Sequence, residues 1–314
     1  MSTMRFLRSA FFVLLAAGAG LGFAQESAPL SKSPVDQAET LLNEGKPREA
    51  LSLLTQISEK DPKAPGLEEE LGDAYFQLRQ FSQATPHLKS ALQQNADDLK
   101  ATQLLAVSYV MTQQLDSARK VLAQMFYVPP GSAMAYLTLG KLMVRQQMVE
   151  AAVPQIETAL QLDPRLTMAH FLLGEIDLYQ SNAQGAVAEF QKELAVNPTL
   201  WLVYWRLGEA YMRLAKYDDA EMVLKKAIWL NEASPGAFIL LGELALKKND
   251  PSLASGFLER ALALDPQSFD AHYALATAYK AMGRETEANQ HFEISKKLRN
   301  EKQDTEKDSL LPAP

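Results

Sequence analysis

The chain of 314 residues contains no cysteine. That excludes disulfides, thiol nucleophiles and Cys-based metal sites. Basic runs are absent as well, and the formal net charge is −7. An acidic balance without a basic helix face argues against nucleic acid and anionic membrane surfaces as partners. No segment alternates polar and apolar residues as a half-buried strand does. Phosphate-binding glycine loops, H-E-x-x-H and G-x-S-x-G are also missing, so nothing predicts a cofactor, a metal or an enzyme.

Long apolar runs are scarce too. The one at the N-terminus, Ala10 to Ala24, is interrupted by Gly18, Gly20 and Gly22. It is short for a membrane span, which takes about 20 residues. With Arg5 and Arg8 ahead of it and Gly22-Phe23-Ala24 at its end, the segment 1–24 reads as a secretory signal peptide. Left uncleaved, it would be an N-terminal anchor. Cleavage would leave no stable membrane span and a more acidic chain, and the expected location is periplasmic or secreted. A lipoprotein anchor is excluded, because there is no cysteine to carry it.

What is present is a repeat. Alanine recurs every 34 residues at Ala50, Ala84, Ala118, Ala152, Ala186, Ala220, Ala254 and Ala288. With repeats starting at Ser31, Pro65, Leu99, Ala133, Thr167, Trp201, Pro235 and Phe269, these alanines fall at position 20. Position 8 is always Gly or Ala: Ala38, Gly72, Ala106, Gly140, Gly174, Gly208, Gly242 and Ala276. Two helices joined by a short turn approach closely only where side chains are small. Position 24 is large and apolar throughout, from Leu54 to Phe292, and position 7 is Leu in seven repeats. These spacings follow a helical period. Asp61-Pro62, Asp163-Pro164, Asn197-Pro198 and Asp265-Pro266 mark helix ends, since proline cannot continue a helix. The fold class is therefore all-α, a solenoid of about eight helix-turn-helix units.

The pattern resembles the tetratricopeptide repeat (TPR) family, shown well by Tyr204, Leu207, Gly208, Tyr211, Ala220, Leu224 and Ala227. The resemblance covers 31–298, after a polar lead-in at 25–30 and before a charged tail at 299–314 that is expected to be disordered. It implies a right-handed superhelix whose first helices line a concave, protein-binding groove. The resemblance implies that positions 2, 5, 9, 12 and 13 of each first helix face this groove, which nominates Phe76, Met111, Leu137, Phe171, Tyr179, Trp205, Met212, Ile239 and Tyr273. With them stand the charged Arg145, Glu175, Glu209 and Arg213. Apolar residues beyond the core requirement, rich in Met and aromatics, suit a peptide or helical segment. The basic and Asn pattern of carboxylate-clamping relatives is missing, which argues against a cytosolic co-chaperone.

Repeat five breaks the pattern with Asp177 at position 11, His170 at position 4 and Glu193 at position 27. The expected reading is a His170–Glu193 ion pair, paralleled by His272 and Ser295 in repeat eight. The alternative is an acid–base site of Asp177, His170 and Glu193. His87 and His291 read as isolated outer-face residues. The functional expectation is an exported, non-catalytic adaptor that binds a protein segment. An envelope assembly factor holding an exported client, and a subunit binding an envelope polymer, are the alternatives. Oligomeric state is open.

Overall fold

The computed structural model describes residues 33–308. The predicted signal peptide, the lead-in at 25–30 and residues 309–314 lie outside the described residues. Among the described residues there are sixteen α-helices and no strand, and no helix is long and apolar enough to cross a membrane.

The chain divides into two compact units at Pro164. Unit 1 holds α1 (Pro34–Asn43), α2 (Pro47–Lys60), α3 (Leu67–Gln77), α4 (Phe81–Gln94), α5 (Leu99–Met111), α6 (Leu115–Met125), α7 (Ala133–Arg145) and α8 (Val149–Leu162). Unit 2 holds α9 (Ala169–Tyr179), α10 (Ala183–Val196), α11 (Trp201–Arg213), α12 (Tyr217–Leu230), α13 (Pro235–Lys247), α14 (Pro251–Leu264), α15 (Phe269–Ala281) and α16 (Glu285–Asp308). Within each unit every helix packs on the next. The first helices of neighbouring repeats also touch, α1–α3–α5 in unit 1 and α9–α11–α13–α15 in unit 2. The second helices stand behind them.

The repeat's small and large positions explain this packing. All eight position-20 alanines are fully buried, as are Leu54, Leu88, Ile156, Phe190, Leu224 and Leu258 at position 24. The small residue at position 8 lies directly beneath the position-24 side chain. A Cβ on Gly208 would stand 2.5 Å from Leu224, and one on Gly174 within 2.5–2.9 Å of three Phe190 ring atoms. Leucine methyls can shift, whereas a buried phenyl ring is rigid. Gly174→Ala should therefore cost about 1–3 kcal/mol by overpacking. Gly208→Ala should cost less, because the Leu224 side chain can shift aside, while the helix-propensity gain of about 1 kcal/mol is common to both variants. Thermal unfolding of the two variants checks the ordering; equal shifts would contradict it.

Each hairpin turn is closed in the same way. The residue at position 15 adopts a left-handed conformation in all eight repeats, but only Gly45 and Gly283 are glycine. The other six are Arg79, Gln113, Gln147, Ser181, Ala215 and Asn249. The next N–H then reaches back to the helix, as in Gln80 to the Tyr75 carbonyl at 2.9 Å and Asn182 to the Asp177 carbonyl at 2.8 Å. This is the six-residue closure that ends many helices. At the repeat junctions the helices stop before Asp61, Asp163, Asn197 and Asp265, as the proline signals predict.

One boundary differs. The repeat region was expected to end at Leu298, with a disordered tail beyond it, yet α16 continues to Asp308. Glu, Lys and Gln supply half of residues 299–308, and all three favour helix. Lys297 and Glu301 form an i,i+4 pair at 3.8 Å on its surface.

Candidate binding faces on the first helices

In unit 1 the charged face is built from α3 and α5. Lys100 reaches Glu70 at 2.9 Å, Asp73 at 3.0 Å and Glu69 at 3.5 Å. Burial opposes the Lys100 charge, but the Glu70 hydrogen bond and the Asp73 carboxylate outweigh it and hold the ammonium pKa above its ordinary value. Burial also pushes the Glu70 carboxyl up, against the pull of Lys100. Phe76 is half-buried and meets Phe81 edge-on, with ring centroids 5.5 Å apart. Met111 is half-buried and Arg145 exposed. Leu137 departs from the expectation: at 6% exposure it belongs to the core.

Unit 2 carries a longer charged row. Arg206 on α11 bridges Glu175 on α9 and Glu209 on α11. Arg213 closes the row, donating to Glu209 at 2.6 Å and to the Leu178 carbonyl at 2.6 Å. Glu175 and Glu209 are thus neutralised by arginines. Burial raises the Glu175 carboxyl pKa, with Arg206 opposing. The next acid along, Glu243 on α13, is different. Among the described residues no hydrogen bond or ion pair meets it, and Lys247, four residues on, acts on it only at longer range. Burial, then Asp270 and Glu209, push its carboxyl up, while Lys247 pulls weakly down.

Apolar side chains stand on the same row of first helices. Ile239 and Met212 are half-buried, Tyr273 is 53% exposed and Tyr179 50% exposed. Trp205 stacks on Trp201 at 6.3 Å and under the Arg206 guanidinium at 5.4 Å, with its ring edge against Gly236. Its indole N–H is buried and has no acceptor among the described residues. Phe171 is a correction. It is 7% exposed and packs on Phe190 at 5.8 Å, because its side chain turns under α10 into the core.

The pattern-breaking residues of repeat five do not form the expected pair or an acid–base site. His170 bonds Glu189 at 2.7 Å, one helical turn before Glu193. Glu193 is fully buried and accepts the backbone N–H groups of Met168 at 2.6 Å and Phe171 at 3.2 Å. It therefore caps α9 from the neighbouring helix. Asp177 accepts from Asn182 at 2.8 Å. Ser295, likewise, donates to the Phe269 carbonyl at 2.8 Å and leaves His272 to another partner. His87 and His291 are not isolated: they meet Glu68 and His272. A 19-residue spacing could have revealed Glu189, since positions 4 and 23 face each other in repeat seven too, as Phe238 and Phe257.

Family models for the tetratricopeptide repeat match residues 35–79, 79–142, 203–234 and 245–301. No curated protein matches the chain. Among solved structures, MamA from Desulfovibrio magneticus RS-1 is 20% identical over 54% of this chain and 96% of its own, with a TM-score of 0.49. A tetratricopeptide repeat protein from Parabacteroides merdae is 16% identical over 78% of this chain and 97% of its own, at 0.45. YrrB, a TPR protein with an unusual peptide-binding site, is 20% identical over 54% of this chain and 88% of its own, at 0.46.

Proposed function

Because the chain belongs to the tetratricopeptide repeat family, we propose that it is a scaffold without chemistry of its own that binds a polypeptide segment on the first-helix face of unit 2. It acts after export, in the periplasm or outside the cell, as the N-terminal Arg-then-apolar segment suggests. The observation that carries the reading is Glu243. A partly buried carboxylate with no cationic partner is costly, and here two further acids, Asp270 and Glu209, add to that cost. A basic side chain from a partner would relieve it. Tyr273 on α15, Ile239 on α13 and Met212 on α11 would receive apolar residues on either side of that base. The partner segment is therefore one with Lys or Arg set between apolar residues.

A fluorescence-anisotropy titration with a library of such peptides tests this. Peptides with a central Lys or Arg should bind, and their Glu counterparts should bind at least about ten-fold more weakly, a difference of about 1.4 kcal/mol. Glu243→Gln should weaken binding while leaving the fold as stable as the parent or more so, because it removes an unpaired charge. Equal affinity for basic and acidic peptides, or unchanged binding in Glu243→Gln, would overturn the assignment.

A further inference from the structure

The four histidines of the chain all sit at one contact of the repeat, between position 4 of the first helix and position 23 of the second. In repeat two, His87 Nδ1 lies 2.9 Å from Glu68 Oε2; in repeat five, His170 Nδ1 lies 2.7 Å from Glu189 Oε2. A carboxylate only accepts, so Nδ1 carries the hydrogen in both rings. The other nitrogen can then take a proton with the bond intact, and the new charge faces a carboxylate. Acid does not break these two contacts.

Repeat eight has the opposite arrangement. Its contact joins two imidazoles, His272 on α15 and His291 on α16, with Nδ1 atoms 2.8 Å apart and rings stacked at 5.0 Å. The tautomers follow from one further bond. His272 Nε2 is 3.1 Å from the Pro266 carbonyl, which can only accept, so Nε2 carries the hydrogen. Neutral His272 therefore has a bare Nδ1, and His291 must donate its Nδ1–H to it. One extra proton can enter at the far nitrogen of His291 with the bridge intact. The next must enter at His272 Nδ1, where it would set two N–H groups face to face.

We propose that the position 4–23 contact is a pH-sensing clamp of opposite sign along the chain, in which acidification keeps repeats two and five closed and opens repeat eight by freeing α16 from α15. The setting of the clamp agrees with this. His272 is 8% exposed, so an unbonded charge there is poorly solvated. The groups facing His291 are Glu259 on α14, which is bound to the Tyr279 hydroxyl at 2.9 Å, Tyr279 itself at 5.6 Å between rings, and the Arg284–Glu287 pair at the start of α16. Burial, then the His272 charge, lowers the His291 pKa from its ordinary 6.5, with Glu259 and Glu287 opposing. A histidine with a depressed folded pKa binds protons more readily when unfolded. Its stabilisation is full above 6.5 and is lost as pH falls through the lower folded value.

Opening would uncover the apolar inner side of α15, where Ala274, Leu275, Ala278 and Tyr279 pack against Ala288 and Phe292 of α16. The test uses the full chain labelled with 15N-histidine, followed by NMR from pH 8 to pH 5 beside amide hydrogen exchange of α16 and α10. Four histidines give four ring signals, assigned through His87→Gln, His170→Gln and His291→Gln. The expected result is an Nε2–H tautomer for His272, an Nδ1–H tautomer for His291, and coupled titration of the two. Exchange in α16, corrected for intrinsic rate, should then quicken about ten-fold or more as the pair takes up protons, an effect of one pKa unit or greater. Exchange in α10 should not quicken. In His291→Gln the pH response of α16 should fall well below the parent's, since a carboxamide can turn its oxygen to accept from a protonated His272. Matching Nε2–H tautomers that titrate independently would overturn the clamp. So would α16 protection that stays constant with pH in the parent, or a pH response in His291→Gln as large as the parent's. The tautomer readout on the unmutated chain holds whether or not the variants fold.

Discussion

Truncating Phe190 to alanine should lower stability by about 3–5 kcal/mol, the cost of a large buried aromatic and the cavity it leaves. The site gives the cavity no way to close. Phe190 is fully buried, and the residue facing its ring is Gly174, which has no side chain to move in. Phe171, 5.8 Å away, is itself held in the core beside Leu178, Val187 and Leu207. Phe190→Leu keeps most of the volume and should cost under about 1.5 kcal/mol. Urea unfolding of the three proteins measures both. A loss in Phe190→Ala no larger than that of Phe190→Leu would show that α9 and α10 collapse onto each other freely.

The second large effect is predicted at Glu193. Replacing this carboxylate by leucine should cost about 2–4 kcal/mol, since buried donors left without an acceptor cost about 1–3 kcal/mol each. The two donors are the N–H groups of Met168 and Phe171 in the first turn of α9. Met168, the residue at the cap, offers no side-chain acceptor and holds a left-handed backbone at φ 71°. The carboxylate also stands at the positive end of the helix dipole, where a negative charge is favoured. Glu193→Gln keeps one acceptor oxygen and should lose less than the leucine variant. Thermal melts of the pair decide this. If Glu193→Leu melts with the parent, α9 is capped by something else.

Much of the fold was legible because it is repeated. The alanine at position 20 and the small residue at position 8 are steric requirements of a helix pair, and eight coincident registers separate such requirements from chance. Helix ends were legible where Asp-Pro or Asn-Pro marks them. The left-handed residue at position 15 was not, because six repeats place Arg, Gln, Ser, Ala or Asn where glycine would have announced the turn.

The site was less legible. Helical spacing assigns a face to a side chain, but not the turn it reaches. His170 was matched to Glu193, one turn beyond its partner Glu189. Phe171 and Leu137 satisfied the spacing of an open face and are nonetheless buried. The unpaired state of Glu243 had no sequence signal at all, since Lys247 four residues on suggested a partner. It is set by how Asp270, Glu209 and Lys247 stand around it in the fold.

The most direct test of the binding role is site-specific photo-crosslinking. A photoreactive phenylalanine analogue is placed at Ile239, on the first-helix face, or at Met222, which is 66% exposed on α12. Each protein is irradiated with the best-binding basic peptide. An adduct should form through position 239, be abolished by Glu243→Lys, and be absent through position 222. Adducts through position 222 alone, or adducts at 239 that persist in Glu243→Lys, would contradict it.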